Sequence, residues 1–255
     1  MIKIRMMGKK GSKACKTIVK ETGIPRYIGK KGVTDVLINY GLAGERLRQY
    51  YKKFPSAKRI PTVNGNIGHS KLNVVNTAKG VGILVPDSKL SLSRSDKKEE
   101  WIEKRFSSQG GIGIRAAVGK AAMKGKYYQK FIKDRLYELR VHTFKWYNIE
   151  DYRIQKRLGD KDEIAWNFSR GGRFITVHNH NAYAVFKSAK EISKKILDTL
   201  GMGFGAVDFI VDRDRKLYFI EINSAPGFSG LSDSIYTEAF KRLSNLSKDK
   251  ILKYT

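Results

Sequence analysis

The stretch GAVDFIVDRDRKLYFIEIN, residues 205–223, decides the fold. Two apolar runs flank a polar turn, which predicts a β-hairpin. Strict alternation along the second strand would put four side chains on one face: Leu217, Phe219, Glu221 and Asn223. Asp208 lies inside the first strand. Carboxylates in apolar strands are unfavourable unless they are paired or bind a metal, so this hairpin is the first candidate for a functional site.

Asp208, Glu221 and Asn223 offer three oxygen ligands, a set that suits Mg²⁺. Magnesium takes few protein oxygens and shares its other positions with phosphates and water. The alternative is that both carboxylates pair with some of the many Lys and Arg side chains. Two unoccupied carboxylates would repel each other, so Glu221→Ala is expected to raise thermal stability.

The composition is that of a globular protein. The chain has 255 residues and is 41% hydrophobic and 11% aromatic. It contains no apolar run long enough to span a membrane, and its amino terminus lacks the long apolar core of a secretory signal. Its single cysteine, Cys15, cannot form an internal disulfide, which favours the reducing cytoplasm.

The net charge is strongly positive. The 51 Lys and Arg residues against 24 Asp and Glu give +27. Such a field attracts anions such as nucleotides, nucleic acid or an acidic polypeptide, although it could also be a solvated cationic surface without a dedicated partner. Between Gly201 and Phe240, six acids stand against three bases. This acidic island indicates that carboxylates are needed there.

The secondary-structure pattern is mixed. Helical patterns cover residues 12–22, 70–81, 188–200 and 232–246, and a charged, Ser-rich linker covers 91–100. Besides the hairpin, strands are expected at 2–6, 35–41, 101–106, 127–132, 138–144 and 152–158. Because hairpins dominate the later part, the pattern favours an α+β fold over a regular βαβ series.

Two further segments could bind phosphate. The glycine-rich run SSQGGIGI, residues 107–114, follows Lys104, and its backbone N–H groups could close around phosphate oxygens. It is neither a Walker loop nor a dinucleotide fingerprint, and a plain hairpin turn explains it almost equally well. In ELRVH, residues 138–142, alternation puts Glu138, Arg140 and His142 on one face. With the donors at 155–157 and 166–172 this face could bind a polyphosphate and a carboxylate, or be a solvated basic surface.

Read in order, these pieces resemble the ATP-grasp superfamily, and within it the branch of the bacterial glutamate ligase that modifies a ribosomal protein. The similarity runs from about Ser70 to Phe240 and preserves order and spacing. It is carried by Ser70-Lys71-Leu72, Val85-Pro86, Lys104 to Gly113, Gln129-Lys130-Phe131-Ile132, Glu138-Leu139-Arg140, Asn167 with Arg170-Gly171-Gly172, Gly205 to Asp208, and Glu221 to Gly227. The sequence around Glu138 also looks like that of small ligases of this superfamily carried by large bacterial viruses.

The resemblance implies two α+β subdomains that clamp ATP, at 69–135 and 136–255, after a short α/β segment at 1–68. It implies Mg²⁺, with Mn²⁺ as a substitute, at Asp208, Glu221 and Asn223. The nucleotide residues it implies are Lys71, Lys104, Gln109, Gly110, Gly111, Gly113, Gln129, Lys130, Phe131, Ile132 and Asn167. The catalytic residues it implies are Arg140, Lys156 and Arg170, which would hold the γ-phosphate, the acyl phosphate or the substrate carboxylate. Choosing Lys156 over Arg157 is a judgement about strand register.

The activity this implies is an ATP- and Mg²⁺-dependent carboxylate–amine ligase that forms an amide or peptide bond through an acyl phosphate. The alternatives are an ATP-grasp kinase that phosphorylates its substrate, and a non-catalytic, basic nucleic-acid-binding protein on the same scaffold. The expected partners are ATP and an anionic carboxylate substrate such as an acidic peptide or protein, with no membrane. The expected location is the cytoplasm, the host's if the chain is viral.

Two departures from the family bear on the site. The family often has an acid where Lys130 stands, which puts ribose recognition in doubt. The segment before Lys71 is short for the domain that usually precedes this fold. The substrate cleft is therefore expected to be reduced or built with a partner subunit, and a homo-oligomer is left open.

Overall fold

The computed structural model describes residues 2–29, 34–65, 70–106, 113–160, 163–166, 171–228 and 232–255. Three sheets organise the chain, and the third begins with β8 at Arg135, one residue before the predicted boundary at 136. The architecture is α+β, as predicted, while the division into three folding units stays a prediction. No helix in these ranges is long and apolar enough to cross a membrane.

The amino-terminal part is a small parallel sheet of order β1-β2-β3 flanked by helices. Its elements are β1 (Ile4–Gly8), α1 (Lys13–Thr22), β2 (Val36–Tyr40), α2 (Gly44–Lys53) and β3 (Thr62–Val63). Ser12 caps α1 by accepting the Cys15 N–H at 3.2 Å. Gly23 ends the helix with φ 71°, a conformation that glycine adopts without strain. Sequence reasoning predicted α1 and β2 but not α2.

The middle part is an antiparallel sheet of order β4-β7-β5-β6. Its elements are α3 (Lys71–Gly80), β4 (Ser88–Lys89), β5 (Trp101–Arg105), β6 (Arg115–Ala116) and β7 (Lys126–Lys130). Ser70 caps α3 by accepting the Asn73 N–H at 3.2 Å. Val75 and Ala78 of this helix pack into the core of the next sheet, so α3 joins the middle segment to the carboxyl-terminal part.

The carboxyl-terminal part is a fully antiparallel sheet of order β10-β9-β8-β11-β12. Its elements are β8 (Arg135–Phe144), β9 (Arg153–Leu158), β10 (Arg173–Val177), α4 (Ala184–Thr199), β11 (Phe204–Asp212), β12 (Leu217–Asn223), α5 (Ser232–Ser244) and α6 (Lys248–Leu252). The core beneath α3 and α4 contains Leu139, Val141, Val207 and Phe209 from the two central strands. The opposite face carries the polar side chains. Sequence reasoning missed β10 and began α4 four residues late.

A β-bulge in β12 decides which face carries Glu221. Asp208 pairs with Glu221, but the next pair is Phe209 with Phe219, so Ile220 is an extra residue. Phe219 therefore lies in the apolar core, while Ile220 and Glu221 line the cleft described below. The expectation of strict alternation along all of β12 is wrong, because the bulge turns the second half of the strand over.

Candidate active site

A cleft lies between the middle sheet and the polar face of the carboxyl-terminal sheet. Its apolar lining is suited to a flat ring: Pro86, Ile102, Phe131, Ile132, Ala165, Trp166, Ile210 and Ile220. Its charged lining is Lys71, Lys104, Lys130, Arg135, Glu138, Arg157, Asp208 and Glu221. Such a mixture of apolar walls with a few convergent polar groups is typical of a small-molecule site.

Asp208 is held by two guanidinium groups on neighbouring strands. Arg140 binds it with two parallel hydrogen bonds, Nε to Oδ1 and Nη2 to Oδ2, each 2.7 Å. Arg157 Nη2 donates to the same Oδ2 at 3.4 Å. Burial alone would raise the pKa of Asp208, but Arg140 and Arg157 together hold it below its usual value. The carboxylate is therefore ionised, and both of its oxygens accept from arginines.

Glu221 is neutralised from the other side of the cleft. Lys71 begins α3, and its Nζ donates to Glu221 Oε2 at 2.6 Å. Asn223, two residues along β12, donates from Nδ2 to Glu221 Oε1 at 3.4 Å. Burial opposes ionisation, but Lys71 lowers the pKa of Glu221 below its ordinary value. The structure thus brings together the three predicted metal ligands, Asp208 and Glu221 as a cross-strand pair with Asn223 beside them.

Lys104 reaches the cleft from the middle sheet. It is 4% exposed, and its Nζ donates to Gln129 Oε1 at 2.9 Å. Gln129 Nε2 in turn donates to Ser88 Oγ at 3.3 Å. Burial lowers the pKa of Lys104 to about 8, because a buried ammonium has lost most of its hydration. Within the described ranges this buried ammonium forms no ion pair with a carboxylate, which suits it to binding an anionic ligand.

Arg157 takes the place predicted for Lys156. In the register of β8 and β9, Arg157 lies opposite Glu138 and donates from Nη1 to its Oε2 at 2.5 Å. Lys156 points to the other face, where its Nζ lies 4.2 Å from the centre of the Tyr137 ring. The choice of Lys156 is therefore corrected, because adjacent residues of a strand point to opposite faces.

Arg135 is a site residue that sequence reasoning missed. It donates from Nη1 to Glu138 Oε1 at 2.9 Å and stacks on Trp166, with 3.8 Å from Cζ to the ring centre. Residues three apart on a regular strand face opposite sides, but the pairing of β8 with β11 shifts between Val211 and Asp212. No local pattern signals such a shift. Burial raises the pKa of Glu138 despite its two arginine partners.

The remaining predicted residues are placed as follows. Phe131 and Ile132 line the cleft where the chain passes from β7 to β8. The Phe131 N–H donates to the Glu100 carbonyl at 2.7 Å, and the exposed Lys130 Nζ lies 3.9 Å from the Glu100 carboxylate. Gly113 has φ 78° beside the Arg105 side chain. Gln109, Gly110, Gly111, Asn167 and Arg170 lie outside the described residues.

The chemistry of the cleft fits a magnesium polyphosphate. Six cationic side chains, Lys71, Lys104, Lys130, Arg135, Arg140 and Arg157, stand against three carboxylates, Glu138, Asp208 and Glu221, which leaves a formal net charge of +3. The buried Nε of Arg157 has no hydrogen-bond partner within the described ranges. Those ranges hold no cluster of three or more His, Cys, Asp and Glu side chains that could bind a metal. A cation here would thus use two carboxylates and the amide of Asn223, which leaves positions for phosphate oxygens.

Solved structures share this architecture. The macrocyclase MdnC bound with precursor peptide MdnA, from Microcystis aeruginosa, is similar with a TM-score of 0.62 at 13% identity, over 97% of this chain and 100% of that one. The ATP-grasp ligase PsnB, in a complex with a precursor variant, Mg and ADP, gives 0.59 at 11% identity, over 94% and 97%. The chain has the ATP-grasp fold.

Ligases also match parts of this ATP-grasp chain. VanG D-Ala:D-Ser ligase from Enterococcus faecalis is similar with a TM-score of 0.55 at 15% identity. The similarity covers 89% of this chain and 74% of the VanG chain. The family model described as "D-ala D-ala ligase C-terminus" matches residues 165–246, which contain β11 and β12. The D-alanine–D-alanine ligase of Dechloromonas aromatica (strain RCB) is 46% identical over 43 residues, which span 15% of this chain and 14% of that relative. The likeness to the solved structures is one of fold.

Proposed function

We propose that the protein is an ATP- and Mg²⁺-dependent ligase that joins a carboxylate to an amine through an acyl phosphate. The observation that carries the proposal is the pairing of Asp208 with Glu221 across β11 and β12, surrounded by cationic side chains from both sheets. The ligases among the similar proteins support it.

The charged residues of the cleft can perform the binding that this reaction requires. Phosphoryl transfer needs mainly positioning and neutralisation of charge. Asp208, Glu221 and Asn223 would hold magnesium, which supplies part of that neutralisation on the phosphates. Lys71 and Arg140, which now neutralise the two carboxylates at 2.6 and 2.7 Å, are placed to bind phosphate oxygens as well. Lys104 would add a buried positive charge from the opposite sheet.

The reaction consists of two balanced displacements. An oxygen of the substrate carboxylate attacks the γ-phosphorus of ATP, and the bond to the leaving ADP breaks. The amine nitrogen then attacks the acyl carbon, inorganic phosphate leaves, and the amine loses a proton. Arg157, whose Nε has no hydrogen-bond partner among the described residues, would hold the transferred phosphoryl group. The apolar walls beside it, including Trp166 and Ile210, would limit the access of water to the acyl phosphate.

The proposed substrate is anionic, for example an acidic peptide or protein. The net charge of +27 favours such a partner, and the similar proteins MdnC and PsnB were solved with a precursor peptide and a precursor variant. Membership of the ribosomal-protein glutamate ligase branch, viral origin and oligomerisation stay predictions. A cytoplasmic location is proposed from the single cysteine.

Trapping the activated carboxylate tests the proposal. The full chain is incubated with ATP, Mg²⁺ and small-molecule and peptide pools from a cell extract, with and without hydroxylamine, and the products are identified by mass spectrometry. A ligase gives ADP, phosphate and new amides, and hydroxylamine diverts the acyl phosphate to hydroxamates. The Asp208→Asn variant should give neither.

Two outcomes would decide against the ligase. A stable phosphorylated product without any hydroxamate would establish the kinase alternative. Absence of ATP binding by the wild-type chain in the presence of Mg²⁺ would refute nucleotide chemistry altogether.

A further inference from the structure

Tyr127 lies on the cleft face of the middle sheet, although no motif pointed to it. It is directly opposite Lys104 in the pairing of β5 with β7, so both side chains are on the cleft face of the middle sheet. The next residue, Tyr128, points to the other face, where it packs with Leu92 and Trp101. The two adjacent tyrosines therefore have different environments on one strand.

The Tyr127 hydroxyl is buried without a partner. The residue is 1% exposed, and its hydroxyl has no hydrogen bond within the described part of the chain. Tyr128 is also 1% exposed, but its hydroxyl donates to the Ala121 carbonyl at 2.9 Å. Buried hydroxyl groups without partners are rare, because the lost hydration is not replaced. The partner of Tyr127 is expected to arrive with a ligand.

The surroundings of Tyr127 are those of the phosphate end of the cleft. Its ring stacks on Phe106, with centroids 5.8 Å apart and planes at 4°. The Phe106 carbonyl accepts the backbone N–H of Lys71 at 3.0 Å, and Lys71 Nζ reaches Glu221. Tyr127 is thus held against Phe106, whose carbonyl binds the lysine that begins α3, and that lysine binds a candidate metal ligand.

We propose that Tyr127 is a nucleotide-positioning residue whose hydroxyl donates a hydrogen bond to a phosphate oxygen of the bound nucleotide. This inference rests on the proposed function, because it requires ATP in the cleft. It adds to the site a residue that belongs neither to the sequence motifs nor to the three candidate metal ligands.

A phosphate oxygen is the acceptor that the surroundings leave open. Lys71 and Lys104 carry only donors, so they cannot accept from the hydroxyl. Glu221 accepts from Lys71 and Asn223, and within the described residues neither of its oxygens accepts from the Tyr127 hydroxyl. Burial, and then the Glu221 charge, raise the pKa of Tyr127 far above neutrality, so the hydroxyl keeps its proton and acts as a donor. A nucleotide phosphate would bring the acceptor.

The test compares Tyr127→Phe with the matched control Tyr128→Phe. Each variant removes one hydroxyl from a ring that is 1% exposed, on adjacent positions of β7. Calorimetry measures the Kd of ADP and of a non-hydrolysable ATP analogue for the full chain, in Mg²⁺ and again in EDTA. Thermal unfolding without nucleotide is measured in parallel.

The two variants should respond in opposite ways. Tyr127→Phe should weaken nucleotide binding about 10- to 100-fold, as for loss of a hydrogen bond to a charged group. Its Tm without nucleotide should be unchanged or higher, because an unpaired buried hydroxyl is gone. Tyr128→Phe should leave the Kd unchanged and lower the Tm, since the Ala121 carbonyl loses its donor.

Three results would overturn the inference. One is wild-type affinity in Tyr127→Phe while the wild-type chain binds nucleotide, which leaves the ligase proposal intact. Another is an equal loss in Tyr128→Phe, which would indicate a structural effect of either ring. The last is a loss in Mg²⁺ that disappears in EDTA, which would assign the hydroxyl to the metal ligands. A wild-type chain that binds no nucleotide would refute both this inference and the proposed function.

Discussion

Replacing Arg157 and Lys156 one at a time tests the strand register on which the site depends. The Arg157 side chain is 9% exposed, and its guanidinium lies between Glu138 and Asp208. Arg157→Met keeps the apolar stem but removes the guanidinium. Breaking a buried ion pair costs about 3–5 kcal/mol. Glu138 keeps Arg135 and Asp208 keeps Arg140, so we expect the lower end, about 3 kcal/mol.

Lys156→Met is the matched control on the other face. Its Nζ lies over the Tyr137 ring, and an interaction of this kind contributes about 0.5–1 kcal/mol at an exposed site. For a chain of this length, 1 kcal/mol shifts the Tm by about 2–4 °C. We therefore expect a fall of about 6–12 °C for Arg157→Met and about 1–4 °C for Lys156→Met, measured by thermal unfolding.

Nucleotide binding should separate the two variants further. Only Arg157→Met should weaken binding of an ATP analogue in Mg²⁺, because only Arg157 faces the cleft. A larger effect of Lys156→Met on either the Tm or the Kd would refute the register and with it the assignment of Arg157.

Other predictions concern the carboxylates, the buried histidine and the surface charge. Asp208→Asn should fold but lose the tightening of ATP binding by Mg²⁺; tight Mg²⁺-dependent binding by this variant, measured by calorimetry, would contradict its role. Repulsion between the carboxylates suggested that Glu221→Ala would raise the Tm. We instead expect it to lower the Tm, because it removes the carboxylate that Lys71 binds at 2.6 Å. Burial lowers the pKa of His142 from 6.5 to about 4, so between these values the folded state keeps the imidazole neutral while the unfolded state binds a proton. The free energy of unfolding, measured in urea, should therefore be full above pH 6.5 and fall as the pH drops towards 4. In His142→Gln this loss of stability with falling pH should be smaller. Binding of an acidic peptide substrate should weaken steeply with added salt, since exposed charges are screened over about 8–10 Å at physiological ionic strength; affinity that is flat with salt would exclude the surface charge as the cause.

Local sequence was sufficient for several regular elements, although not for α2 or β10. The serines at positions 12 and 70 mark the starts of α1 and α3, since a hydroxyl in that position accepts a free backbone N–H. Alternation placed Glu138, Arg140 and His142 on one face of β8, and the structure confirms it: Glu138 binds Arg157, Arg140 binds Asp208, and His142 binds Gln155. The short turn of the hairpin ensured that Asp208 and Glu221 would lie on neighbouring strands.

Only the tertiary structure decided how these strands are turned and what they meet. The bulge at Ile220 moves Glu221 to the cleft face while Phe219 stays in the core, and the register of β9 selects Arg157 over Lys156. Lys71 reaches Glu221 across 150 positions of sequence. Register and long-range contacts are set by the packing of whole sheets, and shifting a strand by one residue reverses every side chain, so no local pattern contains that information.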